Sequence, residues 1–571
     1  MIKCVFRFLV ILLEIRHSPG NDEQMEEEEV ETGDAIAEIL KREGVETLIC
    51  YPVNHLIEAA ARADIRTIVV RQERIGLHMA DAMSRLSSGK TIGAFAMQMG
   101  PGAENAMGGV AQAFGDSVPI LVMPMGYNRG QAHVTPNFNS AQSMKSFTKM
   151  TEPITSAKEI PNVMRRAFTQ LRNGRPGPVL VEIPADLFGE EVENFSYKPT
   201  LSTRSGPDPE EVSTVADVLM SAKNPIIYAG QGVHYAEAWP QLKRLAESLA
   251  IPVMTSLGGK SSFPEDHPLS LGSAGVAMSL SLHEFLHKAD VVFGIGCSFT
   301  ETSFGVTMPK GPKIIHCTLE PTDLNKDVEA DYALIGDAAL TLDAVLEHVE
   351  KKLDGKPRDH SSVSQEIASL REKWLAKWMP KLTSDQSPLC PYRVIWDLGN
   401  TVDVANTIVT HDAGSPRDQT TPFWNSTTPL SYIGWGKTTQ LGAGLGFAMG
   451  AKLAHPDKLC INIWGDAAIG FTGMDFETAV RERIPILSIL LNNFSMAIEL
   501  KIMQVATEKY RSTDISGDYA AMARAFGGYG ERVTEAQEII PAIKRGIEQT
   551  QNGTPALLEF ITDKEVEVSR F

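Results

Sequence analysis

Short apolar runs alternate with amphipathic segments along most of the chain, and a stretch in its last third shows this pattern most clearly. The stretch begins with an apolar run at 459–464 and ends with a second at 486–491. Between the two runs, Thr472 can cap a helix with one buried apolar face. The predicted face carries Met474, Phe476, Ala479 and Val480. A strand, a helix and a strand of these lengths form a crossover that joins two parallel strands.

The same alternation recurs in three α/β units. Predicted strands lie at 47–51, 66–70, 91–97, 120–123 and 179–183 in the first unit, at 225–228, 251–255, 291–295 and 313–317 in the second, and at 407–410 at the start of the third. Repeated alternation of strands and helices indicates doubly wound parallel sheets. Residues 195–209 are polar and rich in Pro and Ser, which indicates a linker. Residues 351–391 are charged and contain a predicted helix at 367–379, which indicates a second connector.

Composition supports a globular protein of several domains. With 571 residues, the chain has room for roughly three or four domains of about 150 residues each. Apolar residues make up 43% of the chain and charged residues 22%, which is typical of a core-forming sequence. The net charge of −18 argues against nucleic acid or an anionic membrane as the main partner.

The cysteines and the N-terminus indicate a cytoplasmic protein. The six cysteines are scattered, which is typical of reduced thiols rather than of disulfides or a zinc site. They are Cys4, Cys50, Cys297, Cys317, Cys390 and Cys460. The apolar stretch 4–13 is too short to span a bilayer and has no clear small-residue cleavage site. We interpret residues 1–29 as a disordered or mis-started extension, with a degenerate signal peptide as the alternative.

Two polar residues follow the apolar runs at 459–464 and 486–491. Asp466 comes directly after the first run, and Asn493 follows the second. The carboxyl ends of parallel strands are where open α/β sheets bind ligands. A carboxylate, an amide oxygen and a nearby backbone carbonyl are donors suited to Mg²⁺, with phosphates completing an octahedron. The alternative is an ordinary crossover with a solvated Asp and a turn-forming Asn pair.

The motif Gly465-Asp466-Ala467, followed after the helix by Asn492-Asn493, resembles the metal and diphosphate signature of thiamine diphosphate enzymes. The usual third residue of that signature is Gly, and Ala467 keeps a small side chain there. In the first unit, the segments YPVNHLIEAA, RQERIGLHMADAMSR and MGPGAENAMGGVAQAFGDSVP resemble the pyrimidine-binding domain of acetolactate synthase and its relatives. The resemblance implies an α/β fold of three doubly wound parallel-sheet domains: pyrimidine-binding (30–194), central (210–350) and diphosphate-binding (392–571).

Glu73 is the first catalytic residue that the resemblance implies. In the family, the matching glutamate hydrogen-bonds the aminopyrimidine ring and so prepares thiazolium C2 for loss of its proton. Glu73 follows an apolar strand, where desolvation would raise its pKa. The alternative is a surface carboxylate paired with Arg71 or Arg74. Gln98 occupies a position where relatives carry active-site helpers.

The rest of the cofactor site is implied in the third unit. The loop HDAGSPRD is where the family contacts the diphosphate, although its usual Gln-His pair is absent here, and a plain polar loop is the alternative. Leu441 falls where the family keeps a bulky apolar residue that holds the cofactor bent. The implied cofactor-binding residues are Gly414, Ser415, Leu441, Gly465, Asp466, Ala467, Ala468 and Asn493, and the implied metal ligands are Asp466, Asn493 and Ser495 through its carbonyl.

Glu499 departs from the acetolactate synthase pattern. Its spacing after Asn492-Asn493 resembles pyruvate decarboxylase, in which a glutamate there handles protons on the bound intermediate. Acetolactate synthases carry an apolar residue at that position and a tryptophan where this chain has Ile502. The alternative for Glu499 is an exposed helix carboxylate.

The middle unit leaves its ligand open. Gly230-Gln231-Gly232 follows a predicted strand, but a lone GxG is weak evidence for a nucleotide site. In relatives this domain holds FAD, ADP or nothing, so FAD stays one of three alternatives.

Together these features imply an enzyme that uses thiamine diphosphate and Mg²⁺ to decarboxylate a pyruvate-like 2-oxo acid. We expect an acetolactate synthase-like carboligase, a lyase or transferase that joins the product to a second carbonyl. The alternatives are a decarboxylase that releases aldehyde, with Glu499 as proton donor, and a non-catalytic cofactor-binding subunit. The resemblance also implies a homodimer or homotetramer with active sites at the subunit interface. Neither nucleic acid nor membrane is expected as a partner.

Overall fold

A computed structural model describes residues 29–434, 436–438 and 440–571. All of the predicted N-terminal extension except residue 29 lies outside the described residues, and the apolar stretch 4–13 and Cys4 lie outside with it. The five cysteines within these ranges are buried free thiols. No helix of the described chain combines the length and the apolar character needed to cross a membrane.

The first domain contains a six-stranded parallel sheet in the order β3-β2-β4-β5-β7-β6. Its strands, together with the small antiparallel pair β1 and β8, are β1 (Val30–Glu31), β2 (Thr47–Cys50), β3 (Arg66–Val69), β4 (Gly93–Met97), β5 (Ile120–Gly126), β6 (Met150–Pro153), β7 (Val179–Pro184) and β8 (Glu191–Val192). Its helices are α1 (Thr32–Arg42), α2 (Leu56–Arg62), α3 (Glu73–Leu86), α4 (Pro101–Gly115), α5 (Ser140–Ser143) and α6 (Ile160–Arg172).

The middle domain repeats this plan with the strand order β11-β10-β9-β12-β13-β14. Its strands are β9 (Pro225–Ala229), β10 (Val253–Ser256), β11 (Ser270–Ala274), β12 (Val291–Ile295), β13 (Lys313–Thr318) and β14 (Tyr332–Ile335). Its helices are α7 (Pro209–Ser221), α8 (Gly232–Tyr235), α9 (Trp239–Leu249), α10 (Leu280–Lys288) and α11 (Ala338–Leu353). The long helix α12 (Ser361–Leu382) then leads to the third domain.

The third domain has the strand order β16-β15-β17-β18-β20-β19. Its strands are β15 (Thr407–His411), β16 (Tyr432–Ile433), β17 (Leu459–Gly465), β18 (Leu487–Asn492), β19 (Tyr529–Val533) and β20 (Ala556–Ile561). Its helices are α13 (Pro391–Thr401), α14 (Ser415–Thr420), α15 (Ala443–Ala454), α16 (Asp466–Thr472), α17 (Phe476–Arg481), α18 (Gln504–Tyr510), α19 (Tyr519–Ala525) and α20 (Ile539–Gln551). The three parallel sheets confirm the α/β fold class.

Two details of the crossover between β17 and β18 differ from the sequence-based prediction. The chain turns into helix α16 at Asp466, so Thr472 ends that helix instead of capping the next one. The Thr472 hydroxyl donates to the carbonyl of Gly442, 2.8 Å away, because that loop lies directly against it. Phe476 is buried as predicted, but Met474 is 53% exposed because it lies in a short 3₁₀ turn between α16 and α17.

The first and third domains share one hydrophobic core, which is centred on α3 and α15. Small residues let the two helices approach closely. A Cβ atom on Gly450 would lie 2.3 Å from the carbonyl oxygen of Met79, and one on Gly446 would lie 2.9 Å from that of Ile75. Since both contacts are with backbone, no side chain larger than hydrogen fits without moving a helix. The packing therefore fixes α3 against the start of α15.

A buried ion pair joins the middle domain to the third. The Lys260 ammonium lies 2.6 Å from both carboxylate oxygens of Glu265 and donates to the carbonyls of Thr421 and Trp424. The backbone N–H of Ser426 donates to the same carboxylate. Because these charges are fully enclosed and hydrogen-bonded, removal of either partner would leave an uncompensated buried charge.

Candidate active site

A cavity opens at the carboxyl edge of the third sheet, where β15, β17 and β18 lie side by side. It holds about 630 Å³ of empty space, including its mouth. All of the predicted cofactor and metal residues line this cavity. They are Gly414, Ser415, Leu441, Gly465, Asp466, Ala467, Ala468, Asn493 and Ser495. Parallel strands bring their carboxyl ends to one edge, so residues far apart in sequence meet here.

Asp466 ties the two ends of the crossover together. It is 4% exposed, and one carboxylate oxygen accepts the N–H of Ala467 at 2.8 Å. The other oxygen accepts the N–H groups of Asn493 and Ser495, both at 3.1 Å. Burial raises the pKa of Asp466, and these backbone hydrogen bonds oppose that shift. The carboxylate thus fixes the loop after β18 against the end of β17.

The oxygen atoms at Asp466 and Asn493 fit coordination of Mg²⁺ better than coordination of a softer metal. The side-chain oxygen of Asn493 accepts the N–H of Ser495 at 3.0 Å, which holds the amide beside the carboxylate. Within the described ranges, no group of three or more His, Cys, Asp or Glu side chains could hold a metal ion. A cation here would be held by one carboxylate, an amide oxygen, a carbonyl and oxygens of a bound ligand, which is the donor set that Mg²⁺ accepts.

Hydrogen bonds hold the backbone of the loop at residues 441–444, which we call the bed. Asp412 is fully buried, and its two oxygens accept the N–H groups of Gly442 and Gly444, both at 2.9 Å. Burial raises the pKa of Asp412 to about 6, and the three backbone N–H groups that it accepts oppose the rise. Gly442 has a φ of +89°, and a Cβ atom there would lie 2.7 Å from the Thr472 side chain. The sequence-based prediction assigned no role to Asp412, although it directly follows β15.

Glu73 and Gln98 lie together in the first domain and do not line the third-domain cavity. Both converge on Gly102 at the carboxyl edge of the first sheet. A Cβ atom on Gly102 would lie 3.2 Å from a carboxylate oxygen of Glu73 and 2.9 Å from Cγ of Gln98. Glu73 is 3% exposed, and desolvation raises its pKa against a hydrogen bond from Asn105. This environment agrees with the desolvation expected from the sequence.

The neighbouring arginines bond elsewhere, which does not support the surface-pair alternative for Glu73. Arg71 forms an ion pair with Glu477 at 2.7 Å. Arg74 donates to the carbonyl oxygen of Leu441 at 3.3 Å. Glu73 therefore begins helix α3 as a buried carboxylate, next to Arg74, which contacts the carbonyl of Leu441 in the same chain.

Glu499 lies in the wall of the third-domain cavity, on the 3₁₀ helix Ala497–Lys501. It is half-buried there, whereas the nearby Ile502 is 82% exposed. The wall also contains residues that the sequence-based prediction missed, namely Pro391, Gln419, Met496, Ile498, Thr562 and Glu565. Thr562 and Glu565 follow β20, so the rule about carboxyl ends of strands could have found them.

A second and larger cavity lies at the carboxyl ends of β9, β12 and β13, with about 1030 Å³ of empty space including its mouth. The turn at Gly232 and the turn at Gly296 lie in its wall. Arg175 of the first domain and Lys437 of the third also reach it, so all three domains contribute. Burial and the nearby Arg175 charge lower the pKa of Lys437 to about 8.

Family comparisons agree with this architecture. Residues 30–152 match the model for the thiamine pyrophosphate enzyme N-terminal TPP-binding domain, residues 212–345 match the central domain, and residues 412–560 match the C-terminal TPP-binding domain. Thiamine pyrophosphate is another name for thiamine diphosphate. The chain belongs to the thiamine pyrophosphate enzyme family, which confirms the resemblance drawn from the sequence.

Within that family the chain is similar to acetolactate synthases. It is 29% identical to a probable acetolactate synthase large subunit of Methanococcus aeolicus, over 93% of this chain and 92% of the relative. It is 27% identical to the acetolactate synthase isozyme 3 large subunit of Escherichia coli strain K12, over 91% and 93%. It is 28% identical to the mitochondrial acetolactate synthase catalytic subunit of Saccharomyces cerevisiae, over 94% and 81%.

Proposed function

We propose that this enzyme uses thiamine diphosphate and Mg²⁺ to decarboxylate a 2-oxo acid and joins the remaining acyl unit to a second carbonyl. The observation that carries the proposal is the meeting of Asp466, Asn493 and Leu441 in one cavity, within a chain that resembles acetolactate synthases. We place the reaction in the cytoplasm, which fits the reduced state of the cysteines.

In this proposal the third domain binds and orients the cofactor. Asp466, Asn493 and the carbonyl of Ser495 would hold Mg²⁺, and the backbone of Gly414, Ser415, Ala467 and Ala468 would contact the diphosphate. Leu441 would pack against the cofactor and help to orient it. When bound, thiamine diphosphate supplies the nucleophilic carbon and the electron sink that loss of CO₂ requires.

Glu73 is the proposed proton-handling residue. Its burial favours the neutral carboxyl more than water does, which suits a group that exchanges a proton with an aminopyrimidine nitrogen. The resemblance assigns Glu73 of one subunit to the cofactor held by another. We therefore propose a homodimer, paired into a homotetramer, as the active form. Gln98 lies beside Glu73 and is proposed to assist it.

Glu499 provides the test between carboligation and simple decarboxylation. Its side chain lines the same cavity as Asp466, Asn493 and Leu441, so it would be placed to donate a proton to a substrate that reacts there. Incubation of the enzyme with pyruvate, thiamine diphosphate and Mg²⁺ is expected to yield mainly acetolactate, with acetaldehyde as a minor product. In Glu499→Gln, the acetaldehyde fraction is expected to fall roughly tenfold because a proton donor is lost. Chromatographic assay of both products measures the ratio.

An exposed neighbour serves as the control for this ratio. Glu508 lies on α18 and is exposed, so Glu508→Gln is expected to leave the product ratio unchanged. If the unmodified enzyme releases only acetaldehyde, the carboligase assignment is wrong and the decarboxylase alternative stands. An unchanged ratio in Glu499→Gln would remove Glu499 from the proposed proton path.

A second cofactor is proposed for the large cavity shared by the three domains. The Lys437 ammonium bonds to no residue that the structure describes. The Arg175 guanidinium lines the same space, where it forms an ion pair with Asp323 at 2.8 Å. The Lys437 ammonium, in a cavity of this size, suits one charge-assisted contact with the diphosphate of FAD or ADP. Calorimetry is expected to detect binding of ADP or FAD that weakens about tenfold in Lys437→Gln, as expected for loss of one charge-assisted contact. Equal affinity in Lys437→Gln would contradict the proposed contact, and absence of binding would contradict the second cofactor.

A further inference from the structure

One side chain of the first domain contacts the bed, the loop at residues 441–444 of the third domain. Arg74, the second residue of α3, donates from a terminal nitrogen to the carbonyl oxygen of Leu441 at 3.3 Å. Leu441 in turn lines the cavity that contains Asp466 and Asn493. The first domain therefore contacts the residue proposed to support the cofactor, although no side chain of that domain lines the cavity.

The contact completes a set of hydrogen bonds that hold the backbone of the bed. The N–H of Gly442 is held by Asp412 at 2.9 Å, and the carbonyl of Gly442 is held by the Thr472 hydroxyl at 2.8 Å. Both of these partners belong to the third domain. Arg74 is the partner that comes from the first domain, and it donates to the carbonyl of Leu441, the residue before Gly442.

The surroundings of Arg74 favour this contact over an ion pair. The guanidinium is half-buried and lies 5.5 Å from the ring centre of Phe471, which is a cation–π distance. Asp412 attracts the guanidinium electrostatically, and Arg74 forms no ion pair with any residue that the structure describes. A charged donor forms a stronger hydrogen bond to a backbone carbonyl than a neutral donor does.

We propose that Arg74 is a positioning residue for the cofactor: it fixes the carbonyl of Leu441, so the first domain sets the position of the bed on which thiamine diphosphate rests. The inference depends on the proposed function, because it assumes that the cavity binds thiamine diphosphate. Arg74 does not line the cavity and acts through Leu441.

The inference predicts a specific pattern of kinetic effects. A displacement of about 1 Å at a reacting centre can lower a rate about 100-fold without removing any reacting group. Loss of the Arg74 contact should therefore lower kcat and cofactor affinity. The KM for the 2-oxo acid should change little, because substrate binding does not use this hydrogen bond.

Three full-length variants test the inference by calorimetric titration with thiamine diphosphate in the presence of Mg²⁺. Arg74→Gln is expected to raise the Kd about tenfold, equal to about 1.4 kcal/mol. Arg74→Lys retains a charged donor and is expected to stay within about threefold of the original Kd. Arg71→Gln is the matched control, because Arg71 also joins the two domains, through Glu477, without touching Leu441.

The outcomes separate positioning from general stability. Thermal unfolding of Arg74→Gln and Arg71→Gln is measured alongside, and both are expected to lose stability to a similar small extent. The inference is supported if the Kd rises about tenfold in Arg74→Gln but stays close to the original value in Arg74→Lys and in Arg71→Gln. Equal Kd values in Arg74→Gln and the original protein, or an equal rise in Arg71→Gln, would overturn it. An original protein that binds no thiamine diphosphate would instead overturn the proposed function and remove the basis of this inference.

Discussion

Replacement of Glu73 by glutamine is expected to lower the rate of CO₂ release from a 2-oxo acid by about 10²- to 10⁴-fold, the usual contribution of a positioned proton-transfer group. Glutamine preserves the size of the side chain and its place beside Gly102, but it cannot exchange a proton in the same way. Stopped-flow or coupled assay of CO₂ release measures the loss.

Cofactor binding distinguishes this loss from misfolding. Because Glu73 does not line the third-domain cavity, the Kd for thiamine diphosphate is expected to change less than the rate. Glu104→Gln is the matched control, since Glu104 is an exposed carboxylate in the first turn of α4. Full activity in Glu73→Gln would contradict the assignment. An original protein that binds the cofactor but releases no CO₂ would favour the cofactor-binding subunit.

The second large effect is expected at Asp466. Asp466→Asn should weaken Mg²⁺-dependent binding of thiamine diphosphate by about 100-fold or more, because even residues behind the metal ligands contribute 10- to 100-fold. The substitution removes the charge of a proposed metal ligand, and the amide can offer only one acceptor oxygen to the three N–H groups now held by the carboxylate. Calorimetric titration with and without EDTA measures both the metal dependence and the affinity.

An exposed aspartate of the same domain serves as the control. Asp457 lies in the turn between α15 and β17, and Asp457→Asn is expected to leave the affinity for thiamine diphosphate unchanged. In the original protein, EDTA should abolish tight binding, and added Mg²⁺ should restore it. Tight binding that survives EDTA would mean that the diphosphate is held without a metal.

The sheets and the third-domain site could be predicted because both depend on local pattern. Apolar runs identify buried parallel strands, and the residues after those runs must meet at one edge of the sheet. This rule identifies Asp466 and Asn493 from the sequence alone. The structure gathers them in one cavity with Leu441, whose role is implied by the family resemblance and not by a local pattern.

Contacts between domains could not be predicted from the sequence. Arg74 and Leu441 are 367 positions apart, and no local pattern relates an arginine in a helical first turn to a distant carbonyl. The same holds for Lys260 and its acceptors at Thr421 and Trp424. The same reason explains Thr472, which the sequence assigns as a helix cap but which ends α16 and donates to the distant carbonyl of Gly442.

The arrangement of Glu73 and Asp466 is tested most directly by mixing two inactive variants. Glu73→Gln and Asp466→Asn subunits are dissociated, combined and reassociated, and CO₂ release is then measured. If the carboxylate of one subunit serves the cofactor of another, a mixed dimer contains one site with both residues intact, and activity should return to a substantial fraction of the original. If both residues of a site come from the same chain, every site in the mixture stays defective. Failure of activity to return, in mixtures shown to contain mixed dimers, would contradict the interface site.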